Sequence, residues 1–147
     1  MKVIIFFLFS FIGIQITNDK LDEKNGFDNY IFGTSPMAYN NLVFEIEEDQ
    51  TKLYSCSNIT TKISGVEFEY IRITFYKDKL CAIAIQTRNA TGTNLLKFLT
   101  EKYGKPKVSK IGYEWVGNKV QLTFESFNSG KDAMASFSNK VIFDSKK

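Results

Sequence analysis

Histidine is absent from this chain of 147 residues, and cysteine (two), proline (two) and tryptophan (one) are scarce. Without histidine there is no Ser-His-Asp or Cys-His nucleophile, no imidazole metal ligand, and no side chain with an ordinary pKa near neutrality. An enzyme built from this sequence would rest on carboxylate, lysine, tyrosine or thiol groups alone. Two thiolates do not complete a zinc site, so neither a metal nor a cofactor is expected. Cys56 and Cys81 leave two readings open. One is a disulfide closing a loop of about 25 residues, which would contribute about 3 kcal/mol in chain-entropy terms. The other is a pair of buried thiols behaving as small hydrophobes.

Long apolar runs are also missing, except at the start. Lys2 precedes a stretch from Val3 to Ile14 interrupted only by Ser10 and Gly13, and the chain turns polar after Ile16. A bilayer crossing needs about 20 apolar residues; one positive charge before a shorter apolar stretch is the layout of a secretory signal peptide. The expected organisation is therefore a signal peptide over 1–17, a charged linker over 18–29, and one domain over 30–147. No transmembrane span is expected in the mature chain. Small residues that would mark a cleavage point are hard to find around Ile14–Thr17, which keeps an uncleaved, membrane-associated N-terminus open. No Leu-x-x-Cys setting follows the leader, so a lipid anchor is not expected.

About 130 residues remain after the leader, enough for one core without metals or many disulfides. Four of the 14 phenylalanines (Phe6, Phe7, Phe9, Phe11) leave with it, and ten stay to mark a packed domain. The formal charge falls from +3 to +2 with Lys2. So mild an excess implies no nucleic-acid partner.

Ser35-Pro36 is a helix-start pattern, and Met37, Ala38 and Leu42 give it one short apolar face over about 35–42. The acidic Glu45, Glu47, Glu48 and Asp49 read as a solvated turn; the glycine and regular spacing of a calcium loop are absent. Strands follow over Lys52–Ser57, Val66–Tyr76 and Leu80–Thr87, the last two forming a hairpin around Lys77-Asp78-Lys79. The alternation slips near Tyr70-Ile71, which implies a bulge or burial on both faces. Cys81, Ile83 and Ile85 share one side of the second arm, and Leu80, Ala82 and Ala84 the other. Thr93 or Asn94 caps the main helix, whose apolar stripe is Leu95, Leu96, Phe98, Leu99 and Tyr103. Gly104 and Pro106 stop it near 103. Tyr113–Val116 and Lys119–Ser126 form a second hairpin, with Gly117-Asn118 fitting a type II′ turn, and Ala133–Phe143 supplies the last strand or two. The fold class is α+β: a mostly antiparallel sheet with helices on one face.

Carboxylate pairs are the only catalytic equipment to weigh. Glu67 and Glu69 alternate on one strand, and Glu114 and Glu125 lie on neighbouring strands, as a glycosidase would need; alternating glutamates on an outer sheet face are the plainer reading. Ser35 and Ser55-Cys56-Ser57 lack a base and a glycine elbow. Tyr113 and Trp115 share a strand face as platform or core. Lys102, Lys105, Lys107 and Lys110 read as a solvated helix end and loop. Asn58-Ile59-Thr60 and Asn89-Ala90-Thr91 match the N-glycosylation pattern.

Tyr30-Ile31-Phe32-Gly33-Thr34-Ser35, Ile73–Leu80 with Ile83, Leu99-Thr100-Glu101-Lys102-Tyr103-Gly104-Lys105-Pro106 and Trp115-Val116-Gly117, in that order, resemble a broad set of small exported bacterial proteins, many from Bacteroidetes. Lys77-Asp78 stands where that set usually has glycine. The layout is more distantly similar to the outer-membrane lipoprotein of the barrel-assembly machinery and to the β-lactamase-inhibitor fold, which implies an interaction module without catalysis; no functional residue carries over. The expected function is thus an exported, non-enzymatic binding module of the periplasm, cell surface or exterior, with another envelope or extracellular protein as partner. One alternative is a small-molecule or lipid carrier with a pocket between helix and sheet lined by Phe68, Phe75, Phe98 and Tyr103. A second is a carboxylate-dependent hydrolase of cell-wall or glycan substrates.

Overall fold

Residues 18–57 and 63–145 are described by a computed structural model. The leader-like segment 1–17 and the Asn58-Ile59-Thr60 sequon lie outside the described residues.

Eight strands form one antiparallel sheet: β3 (Leu42–Glu48), β4 (Thr51–Cys56), β5 (Phe68–Tyr76), β6 (Lys79–Thr87), β7 (Lys107–Val108), β8 (Tyr113–Val116), β9 (Val120–Phe127) and β10 (Asp132–Asn139). Their spatial order is β3-β4-β5-β6-β10-β9-β8-β7. Two four-strand meanders therefore meet at their last strands, β6 and β10, and the helix α2 (Gly92–Tyr103) carries the chain from one to the other. This is an α+β fold. Before the sheet come a short helix α1 (Asp19–Lys24) and a small ribbon of β1 (Gly26–Phe27) and β2 (Tyr30–Ile31); after it comes α3 (Lys140–Asp144), against β10 and β6.

Alternation along the strands gives the sheet two unlike faces. On the inner face Ile73, Ile83, Ile85, Leu122, Ala133, Ala135 and Phe137 are buried with Leu95, Leu99 and Tyr103 of α2. The start of α2 is pinned by Gly92, whose N–H donates to the Lys131 carbonyl at 2.8 Å. Gly104 ends the helix at φ 88°, a left-handed value that glycine adopts without penalty. The predicted cap at Thr93 or Asn94 moves to Thr91, and its hydroxyl bonds Glu67 and Arg88 rather than the helix's own N–H groups.

The segment 18–29, read as a linker, is folded. Asn18 caps α1, Leu21 is fully buried, and Phe27 is 1% exposed between α2 and the sheet. The Asp22 carboxylate accepts from the backbone N–H groups of Asn118, Lys119 and Val120, clamping α1 to the β8–β9 turn. Gly117 is in that turn for a different reason from the type II′ expectation. Its φ is not positive, and a Cβ there would collide with the Asp22 carboxylate.

Three further expectations are corrected. The helix over 35–42 is a single 3-10 turn, Pro36–Ala38, capped by Ser35, because Met37 is 95% exposed and leaves the turn no buried stripe. The last stretch divides at Asn139, which accepts from Ile142 N–H and starts α3 where a strand was expected. Leu80 shares the inner face with Phe75, since the register shifts between Thr74 and Phe75 and leaves Cys81 as the extra residue. The slip near Tyr70 is a bulge at Glu69, as the alternation implied.

Two tyrosines are deeply placed. Tyr103 donates to the Gly26 carbonyl at 3.0 Å, and the Tyr30 hydroxyl accepts from Asn41 at 2.7 Å. Burial is the first cause that pushes both phenols well above the usual tyrosine range. In the unfolded chain they ionise near pH 10, while the native chain keeps them protonated. Stability from these groups is thus complete below pH 10 and falls above it, with a limiting slope of about 1.4 kcal/mol per pH unit for each tyrosine. Urea titrations between pH 9 and 11.5 should show that fall, and Tyr30→Phe should make it shallower.

Candidate functional site

The sheet has two outer margins, and they differ. β7 is two residues long. β3 runs for seven residues and pairs on one side with β4 only; it contains neither lysine nor proline, and its protection as an edge strand is three glutamates and a bulge. Val43, Phe44 and Ile46 on it are 51%, 53% and 57% exposed. The acidic residues read as a turn belong mostly to this strand; only Asp49 with Gln50 turns, both at positive φ, as a two-residue type I′ hairpin requires.

The ladder fixes which groups β3 leaves free. Ser57 N–H donates to the Asn41 carbonyl, so Asn41 faces β4, and alternation turns the N–H and C=O of Leu42 and Phe44 outward. A bulge at Glu45 resets the register between Phe44 and Ile46. Beyond it the tight turn makes Glu48 and Thr51 the bonded pair, which leaves Glu47 facing outward.

Side chains of β3 divide between the faces. Leu42 and Phe44 lie on the inner side, where Phe44 meets Tyr54 edge-on at 5.6 Å and Tyr54 meets Phe75 at 5.4 Å. These contacts tie the margin to the core. Val43 and Ile46 lie on the outer face. There Ile46, Leu53 and Tyr76, rimmed by Glu48, Asp49, Gln50 and Thr51, line an open groove of about 610 Å³.

The margin is electronegative. Glu45 lies 3.7 Å from Arg72, a loose pair, whereas Lys52 is taken by Asp78 at 2.8 Å. That hydrogen bond raises the Lys52 pKa and keeps it charged. Glu47, Glu48 and Asp49 enter no ion pair among the described residues.

Other residues singled out from the sequence are placed elsewhere. Phe27 meets Phe68 at 6.3 Å and Phe98 at 6.2 Å, while Tyr103 packs on Phe137 at 5.7 Å. Phe75 belongs to the Tyr54 and Tyr39 cluster. Of the four rings expected to line a pocket, Phe68, Phe75 and Tyr103 are packed core and Phe98 is partly buried against it, with Phe27 between Phe68 and Phe98. Cys56 and Cys81 are buried thiols not joined in a disulfide, and Cys81 Sγ donates to the Thr74 carbonyl at 3.4 Å. They stand on β4 and β6 with β5 between, and two strand spacings of about 4.8 Å exceed the reach of a disulfide. Burial pushes the Cys56 thiol up.

Glu67 is engaged by Asn89 at 2.6 Å, and Glu69 occupies the bulge. Glu114 opposes Thr123 and Glu125 opposes Met134, so the second carboxylate pair sits on different rungs of the outer face. Trp115 is core, 1% exposed and donating to the Gly104 carbonyl, and Tyr113 is partly buried against the core, its ring tilted on Phe124 at 6.2 Å. Ser57 donates to Asn41, and Thr91 of the Asn89 sequon holds the β6–α2 loop. The basic run disperses. Lys102 lies over Phe98, Lys105 and Lys107 flank a hollow beside Trp115, and Lys110 sits at another beside Gln121.

Among the described residues no group of three or more Cys, Asp or Glu is placed to hold a metal ion, and no helix is long and apolar enough to cross a membrane. Comparison with protein-family models, with curated proteins and with solved structures finds no match to this chain. The functional reading therefore rests on the β3 margin itself.

Proposed function

We propose that this protein is a non-enzymatic interaction module that engages another protein along the β3 margin, outside the cytoplasm. One observation carries the reading: a seven-residue edge strand leaves Val43, Phe44 and Ile46 more than half exposed beside an open groove with Leu53 and Tyr76 on its floor and a polar rim. Exposed apolar surface along an edge strand is a common signature of an association surface. The leader-like start of the chain supports the place of action, and the resemblance to exported interaction modules supports the class.

A photoreactive phenylalanine analogue tests it when placed at Phe44, with Lys97 on the outward side of α2 as control. Irradiation in the native host should give discrete protein adducts from position 44, and Ile46→Ser should reduce them severalfold. Equal adducts from both positions, or none from position 44, would sink the reading.

A further inference from the structure

We propose that the β3 margin takes, as a ninth strand of the sheet, an extended segment of a different protein in which lysine or arginine alternates with apolar residues. This rests on the reading of β3 as a binding edge and names what it binds.

The backbone supplies the mode. Leu42, Phe44 and Glu47 offer outward N–H and C=O groups on both sides of the Glu45 bulge, and an added strand satisfies them without disturbing the pairing with β4. Side chains supply the pattern. An added strand sends alternate residues to the outer face, beside Val43, Ile46 and the groove floored by Leu53 and Tyr76; the intervening residues fall on the inner side, beside Phe44 and Glu47.

Charge supplies the chemistry. Glu48 and Asp49 have no ion-pair partner among the described residues, Glu47 has only the Coulombic pull of Lys52 across the ladder, whose hydrogen bond goes to Asp78, and Glu45 has only the 3.7 Å contact with Arg72. An acidic segment would set like charges beside these carboxylates, which destabilises a strand pair, whereas a cationic residue meets Glu47 on the inner side, or Glu45 and Glu48 on the outer. The same rule disfavours a second copy. Antiparallel pairing of β3 with itself about its centre puts Glu45 against Glu45, at the bulge that interrupts the ladder. The other margin, β7, carries Lys107, but its two residues provide too short a run.

Labelled decapeptides test the proposal by fluorescence anisotropy on the purified chain: valine alternating with lysine, with serine or with glutamate, and proline alternating with lysine. The valine–lysine peptide should bind at least tenfold more tightly than the other three, and weaken roughly tenfold between 50 and 300 mM salt. Glu47→Pro, which removes an outward N–H that β4 does not use, should weaken it at least tenfold. Glu47→Lys with Glu48→Lys should move the preference to the valine–glutamate peptide; circular dichroism checks that each variant is folded, and the lysine pair carries the test where the proline variant is not.

Equal binding of the three valine peptides, lost in Glu47→Pro, would overturn the cationic assignment and leave the edge reading standing. Equal binding of the valine–lysine and proline–lysine peptides would reduce the site to an acidic surface and overturn strand addition. No binding of any peptide, with no adduct at position 44, would remove both. Concentration-dependent self-association that Glu47→Pro abolishes would make a second copy the occupant and overturn the proposal.

Discussion

Phe27→Ala should lower the stability of this protein by about 3–5 kcal/mol, the cost of removing a fully buried phenylalanine and leaving a cavity. A domain of this size has about 5–15 kcal/mol in total, so a single change in a two-residue strand would consume a large share. The ring is 1% exposed and touches Phe68, Phe98 and Phe137 with centroids at 6.3, 6.2 and 5.4 Å. Those three partners belong to β5, α2 and β10, so the lost contacts join the helix to both meanders. Urea denaturation followed by tryptophan fluorescence, which reports Trp115 in the same core, measures the change. Ile31→Ala, at a position 37% exposed, serves as control and should cost under about 1 kcal/mol. A loss below about 1 kcal/mol for Phe27→Ala would mean that the first dozen described residues are a tether after all.

Gly92→Ala sets two effects against each other. Alanine is the better helix former by about 1 kcal/mol, and propensity alone predicts a more stable protein. The packing predicts the opposite. A Cβ at Gly92 would stand 2.8 Å from the Lys131 carbonyl oxygen and from the Asp132 carbonyl carbon, and 3.0 Å from the Ala133 nitrogen. All three are backbone atoms, Lys131 of the β9–β10 connection and Asp132 and Ala133 at the start of β10, so no flexible side chain can yield. Either α2 or that connection must move, and the 2.8 Å hydrogen bond from Gly92 N–H must lengthen. The steric term should win, with a net loss of about 2 kcal/mol. Thermal melts check the sign: a higher midpoint in the variant would show that the helix start is not held against the sheet.

What was legible in the sequence follows from where apolar residues repeat. The β5–β6 hairpin and α2 each carry four or more apolar residues at the right period, and both stand where the pattern put them. The α+β class followed from these two. Leu21 and Phe27 were opaque for the converse reason. Each is a lone apolar residue among charges, and its burial comes from tertiary neighbours far along the chain. β3 was misread because an edge strand need bury neither face, and the Glu45 bulge erases the remaining alternation. Its glutamates therefore looked like a loop. The bulge at Cys81 shifted Leu80 to the unexpected face in the same way. Gly117 was noticed as a glycine that matters, but its reason, a carboxylate 95 residues earlier in the chain, has no local trace. The candidate site was the least legible part, since it is defined by pairing that β3 does not make.

The placement of β10 has a consequence for how the chain reaches its final state. It is the last of the described strands to leave the ribosome and yet one of the two central strands of the sheet, pairing with β6 on one side and β9 on the other. Until residues 132–139 have emerged, the two meanders have no seam along which to join. The β3–β6 meander pairs through local turns and can form early, so what waits for the end of synthesis is the joining of the two halves, one late event of high sequence separation.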